Sequence, residues 1–192
     1  MTDFSDSALL ARARLGDDAA FRLLVIRYEP VVAATVIGML GRGDDAEDVG
    51  QETFIRFHRA LGSFREESGL KTYLVRIAMN LSLNALKRRR RLSLRFLSRD
   101  STSPPTEPAV QPVAEDEAEE RRSMVRRAVK LLGPRHQPVV VLRMLQDLST
   151  KDTASALGIP EGTVLSRLSR AMKELEAALA PYIRGDALKE DA

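Results

Sequence analysis

Apolar residues recur three and four positions apart through most of this chain, the spacing that lines one face of a helix. In the first half the pattern predicts helices near Asp6–Leu15, Ala19–Leu40, Asp44–Leu61 and Leu70–Arg90. In the second half it predicts Glu115–Leu132, Pro134–Leu145, Thr150–Leu157 and Glu161–Leu179. Pro30 is expected to bend or break the second helix, because proline lacks the N–H that would bond one turn back. Asp17 or Asp18 and Asp44 or Asp45 are the expected N-caps, and Gly41, Gly43, Gly62 and Gly69 punctuate the breaks. No stretch alternates convincingly with period two, so the expected fold class is all-α.

The last two helices carry chemistry as well as pattern. Between Leu157 and Glu161, Gly158 can take the left-handed conformation that ends one helix, and Pro160 prevents continuation and starts the next. Ser149 and Asp152 have capping-box spacing, with an acid in place of the usual Glu or Gln. On the final helix Val164, Leu168, Ala171 and Leu175 share one stripe. Thr163, Ser166, Arg167, Arg170 and Lys173 share the other, and Ser169 lies among them. Hydroxyls and guanidiniums in that arrangement suit a helix lying in a DNA major groove. Taken alone, the segment also fits an ordinary helix pair with a solvated outer face.

Composition narrows the class. At 192 residues, 44% hydrophobic and 30% charged, the chain fits a soluble globular protein of one medium or two small domains. It has no cysteine, which excludes disulfides and thiolate metal sites and suits a reducing compartment. The N-terminus is acidic at Asp3 and Asp6, without a basic-then-apolar leader pattern, and the apolar run Val31–Leu40 is too short to span a bilayer. A cytoplasmic protein with no membrane insertion is expected.

The net charge of +3 is modest, but the charges are segregated. From Lys71 to Arg99 there are nine bases and no acid; from Asp100 to Glu120 there are seven acids and no base. A basic block within a helix suits a polyanion partner. The acidic block contains Pro104, Pro105, Pro108 and Pro112, so roughly residues 98–114 are expected to form an extended linker between two helical modules.

Three further constellations remain. Asp44, Asp45 and Glu47 at a helix start are explained by the macrodipole alone, whereas Asp48, Gln51 and Glu52 on one face also suit docking to a basic partner. A carboxylate metal site there lacks further ligands. On the fourth helix Lys71, Arg76, Asn80, Asn84 and Lys87 are left over from the buried stripe Leu74, Ile77, Ala78 and Leu81. They either read bases beside the 62–69 loop or are plain surface residues. His58 and His136 have no catalytic or metal partners in sequence, and no phosphate loop follows a strand, so neither an enzyme nor a cofactor is expected.

Together these pieces resemble one family. Asp45-Ala46-Glu47-Asp48-Val49-Gly50-Gln51-Glu52-Thr53-Phe54, Thr72–Asn80, Leu131–Arg143 and the helix-turn-helix after it resemble, in that order, bacterial sigma factors of the extracytoplasmic-function (ECF) subgroup. The resemblance implies a second sigma domain over residues 1–95, a linker over 96–120, a fourth domain over 121–184 and a short tail, 185–192. It implies that Asp45, Asp48, Gln51 and Glu52 dock on the β′ clamp helices of core RNA polymerase, with the β subunit a further contact. It implies that Lys71, Arg76, Asn80, Asn84 and Lys87 recognise the −10 element with a flipped base. Thr163, Ser166, Arg167, Ser169, Arg170 and Lys173 would read the −35 element. Promoter DNA and an anti-sigma factor are the other implied partners. The chain departs from the family at Tyr73 and His58, often Trp, at Leu165, usually Lys or Arg, and at Thr153, usually Ile. Gly50 inside the docking helix costs ~1 kcal/mol relative to Ala.

Overall fold

The computed structural model describes residues 4–65, 69–97 and 117–183. The expected linker 98–114 lies outside the described residues, as does the tail. Four helices form the first module: α1 (Asp6–Arg14), α2 (Asp18–Leu40), α3 (Asp44–Ala60) and α4 (Leu70–Leu97). The second module holds α5 (Glu117–Leu131), the single turn α6 (Gln137–Val140), α7 (Thr150–Leu157) and α8 (Glu161–Ile183). Among the described residues there is no strand.

Side-chain caps set the first two helix starts. The Ser5 hydroxyl accepts from the Ala8 N–H at 3.3 Å, and the Asp17 carboxylate accepts from the Ala20 N–H at 3.0 Å. That bond and the Arg12 guanidinium hold the Asp17 carboxyl below its ordinary range. At α3 the expectation of an aspartate cap fails. Gly43 is the N-cap, at φ 138°, a backbone that L side chains rarely adopt, and no side chain bonds there. Asp44 and Asp45 fall inside the first turn and act on the helix dipole instead.

Pro30 does not break α2, which runs unbroken for 23 residues. The ring lies on the exposed side, and Ile26, whose carbonyl loses its donor, is 59% exposed, so water can replace the missing bond. By length and hydropathy α2 would suit a membrane span, but Leu24, Val32, Val36 and Met39 pack in the protein core. Leu23, Ile26, Pro30 and Ala34 form an exposed stripe on its other side.

The first core gathers Leu9, Leu10, Leu24, Val32, Val36, Leu74 and Ala78 around Phe57, which is fully buried. Phe57 stacks on Phe21 at 5.8 Å between ring centres and meets Phe64 edge-on at 6.0 Å, so α2, α3 and the 61–65 turn are fixed on one aromatic cluster.

The helix expected over Pro134–Leu145 is shorter and irregular. It begins at Gln137 and continues past Val140 as a wider, π-type turn, Val141–Leu145. The Gln146 N–H reaches back to the Val141 carbonyl at 3.0 Å, five residues away.

The two modules share a core. Met39, Val75 and Met79 of the first lie buried with Val129, Leu132, Val140, Val141 and Leu142 of the second. The helix pattern leaves Val75 and Met79 without a role, because the Leu74 stripe already serves the first core. The second module covers them. Two bonds and one glycine shape this junction. The Gln137 side-chain amide donates to the Gly38 and Met39 carbonyls at 2.9 and 3.1 Å, satisfying the buried open end of the α2 hydrogen-bond ladder. A Cβ at Gly38 would meet the Val141 and Leu145 side chains at 3.1 and 3.2 Å, so any larger residue there would have to push them aside by a few tenths of an ångström.

Candidate functional site

The turn between α7 and α8 is built as its residues dictate. The Ser149 hydroxyl accepts from the Asp152 N–H at 3.0 Å, and the Asp152 carboxylate in turn accepts from that hydroxyl at 2.6 Å. Gly158 closes α7 in the left-handed region at φ 63°, ψ 38°, and the Pro160 carbonyl accepts from the Thr163 N–H at 2.9 Å to open α8. Val139, Ala154 and Val164, with Leu157, Ile159 and Leu168, lock the two helices together.

That packing decides which face of α8 is free. Val164 and Ala171 are fully buried and Leu168 and Leu175 half-buried, as the periodicity predicts. Ser166, Ser169, Arg170 and Lys173 are exposed; Thr163 and Arg167 are half-buried at the edges of the same surface. The Ser166 hydroxyl donates back to the Thr163 carbonyl at 3.1 Å, a weak bond it can trade for an outside acceptor. Leu165, at 56% exposure, stands beside these polar groups. His136, on the flank, meets the Glu174 carboxylate at 2.7 Å and ties the α6 turn to α8.

On α4 four of the five residues expected at the −10 element share one accessible side. Arg76 is half-buried, and Asn80, Asn84 and Lys87 are exposed one turn after another. The Arg76 guanidinium lies 5.3 Å from the centre of the Tyr73 ring, which fixes its stem and leaves its edge available. Lys71 does not join them. Its ammonium donates to the Gln146 carbonyl of the second module at 2.7 Å. Beyond Lys87, Arg88 to Arg91 are exposed and extend the positive surface.

The expected docking residues on α3 also divide. Asp48 and Gln51 are exposed and Glu52 half-buried on one side of the helix. Glu52 is held by Arg56, one turn on, at 2.8 Å. Asp45 turns the other way, towards Arg88 of α4, at 3.8 Å, an exposed pair worth little. Ile55 completes the Asp48 face at 44% exposure. Sequence reasoning missed it, although its spacing of four from Gln51 and seven from Asp48 places it there. Among the described residues no group of three His, Asp or Glu gathers to hold a metal ion.

Two modules, one ending in a helix-turn-helix with a polar outer face and one bearing a basic helix, define an all-α DNA-binding protein. Residues 24–92 match Sigma-70 region 2, and residues 122–175 match Sigma-70, region 4. The chain is 32% identical to the RNA polymerase sigma-H factor of Pseudomonas aeruginosa, over 96% of its own length and 98% of that protein's. It is 36% identical to the ECF RNA polymerase sigma-E factor of Escherichia coli K12, over 94% and 97%. A solved structure of CnrH in complex with the cytosolic domain of CnrY superposes with a TM-score of 0.65, at 26% identity, covering 91% of this chain and 97% of that one. The chain belongs to the ECF sigma factors of the sigma-70 family, and its function is promoter-specific transcription initiation.

Proposed function

We propose that the chain carries core RNA polymerase to a subset of promoters through three separate surfaces. Asp48, Gln51 and Glu52 of α3, with Asp45 at the margin, dock on the β′ clamp helices, and the β subunit holds the second module. Arg76, Asn80, Asn84 and Lys87 of α4 take the −10 element, joined by Lys71 once it leaves Gln146. Thr163, Ser166, Arg167, Ser169, Arg170 and Lys173 of α8 take the −35 element. The observation that carries this reading is a pair of accessible polar stripes, on α4 and α8, in separate modules of one chain. A single DNA reader needs one such stripe; a protein that grips two promoter elements needs two.

The same reading gives the domains as residues 1–95 and 121–184, the linker as 96–120 and the tail as 185–192. It assigns no bond-making chemistry and no cofactor. Melting draws on binding energy, as an extruded base and single strand gain contacts that offset lost pairing and stacking. The chain acts in the cytoplasm, where its polymerase is. An anti-sigma factor is the expected regulator; the similar CnrH structure likewise holds that protein in complex with a second one, the cytosolic domain of CnrY.

Transcription in vitro tests the proposal. Purified chain plus core polymerase is expected to give a discrete transcript from a promoter that core alone ignores. Tight, specific duplex binding without core, and no transcript with it, would replace this reading with that of a stand-alone regulator.

A further inference from the structure

The −35 surface of α8 contains an exposed apolar residue among its polar groups. Leu165 is 56% exposed, at the second turn of the helix, with Ser166 beside it and Ser169 one turn on. Gly162, one turn earlier, has no side chain, and a Cβ placed there would meet nothing within 4 Å. Leu165 therefore stands clear of its neighbours near the helix end that enters a groove first. An aliphatic side chain in that position recognises one base-edge group, the thymine C5-methyl. Opposite a cytosine amino group or a guanine carbonyl, it would strip water from a polar atom and offer nothing in return.

We propose that Leu165 reads a thymine methyl in the −35 element, so that this protein selects a T at one step of its promoters. The proposal rests on the function given above. Arg170 and Ser166 supply the polar contacts on either side, and Leu165 adds discrimination by shape and desolvation. Met172, 42% exposed two turns further along the same flank, lies beyond the N-terminal half of α8 and is not needed for the contact.

Deoxyuridine provides the test, because it differs from thymidine by the methyl alone. Holoenzyme reconstituted from this chain and core polymerase selects promoters from a library randomised over the −35 element, and an enriched T is expected at one position. Replacing that T by deoxyuridine should weaken holoenzyme binding about fourfold, the effect of losing one buried methyl. Leu165→Ala, whose shorter side chain covers less of the methyl, should narrow the difference between the two duplexes. Leu165→Arg should shift the selected base from T towards G, which presents two acceptors to a guanidinium. Holoenzyme that initiates transcription but shows no T enrichment, or no response to deoxyuridine at any −35 position, would overturn the role of Leu165. A complete lack of promoter-dependent transcription would instead overturn the sigma-factor mechanism itself, so the two failures are distinguishable.

Discussion

The junction between the modules must open if α4 and α8 are to hold both promoter elements. The −35 and −10 positions lie ~25 base pairs apart, or about 85 Å along B-DNA at ~3.4 Å per pair. A compact chain of this length has a radius of gyration of ~16 Å, too small to span that distance. In the closed form α7 packs on α4, and Lys71 is tied to Gln146. Opening has a definable cost at Gln137. Its amide satisfies two carbonyls at the end of α2, and Gln137 is only 6% exposed. Gln137→Ala leaves both acceptors short of a partner, which costs about 2 kcal/mol and raises the open-to-closed ratio roughly 30-fold. The chain has no cysteine, so single cysteines introduced at the exposed positions Arg22 and Glu176 can carry a fluorescent donor and acceptor without background labelling. Energy transfer should be high in the free protein and fall when core polymerase is added. In Gln137→Ala it should fall without core, or at a lower urea concentration than in the parent. Unchanged transfer on forming an active holoenzyme would refute the requirement for opening. Unchanged transfer and urea midpoint in Gln137→Ala would refute the role given to its amide.

Other consequences follow from single side chains. Thr153 is fully buried and its hydroxyl has no partner, so Thr153→Val should raise stability by ~1 kcal/mol in urea unfolding, where a loss would mean that the hydroxyl is satisfied. Asp48→Arg should abolish core binding in a pull-down while leaving the thermal melt unchanged, and wild-type affinity would remove Asp48 from the docking face. Arg170→Ala should cost ~1–3 kcal/mol at one −35 base if it reads an edge, whereas a uniform loss over all sequences would make it a phosphate contact. Burial and the Asp6 carboxylate push the Tyr28 phenol up to about 12. The folded state therefore holds a proton that the unfolded chain loses from about pH 10, and stability should decline as pH rises from there towards 12. An ultraviolet titration should show one of the three tyrosines delayed to that range, and Tyr28→Phe should remove the delayed step.

Much of this was legible in the chain because it is local. The helix-turn-helix followed from Ser149, Gly158 and Pro160, each of which acts on atoms within one turn of itself. The accessible stripe of α8 followed from a 3.6-residue period with one apolar side. The family resemblance came from Asp45–Phe54, Thr72–Asn80, Leu131–Arg143 and the helix-turn-helix, each a short-range pattern, and from their order along the chain. At Pro30 and at the start of α3 the missing information was also local but subtler. Pro30 leaves α2 unbroken because the carbonyl it frees belongs to Ile26, an exposed residue, and α3 starts at Gly43, whose backbone L side chains rarely adopt.

The sequence by itself determined the helices of both modules, their exposed polar stripes and their family, since amphipathic period, capping and charge need no distant partner. The tertiary structure alone decided what became of Lys71, Val75, Met79 and Gln137. Nothing near them in sequence distinguishes a DNA-binding lysine from one that bonds a carbonyl 75 residues away, or a spare apolar residue from half of a shared core. Those outcomes depend on where the second module comes to rest, and residues from both modules share in that position, through the common core and the Gln137 bonds to the end of α2.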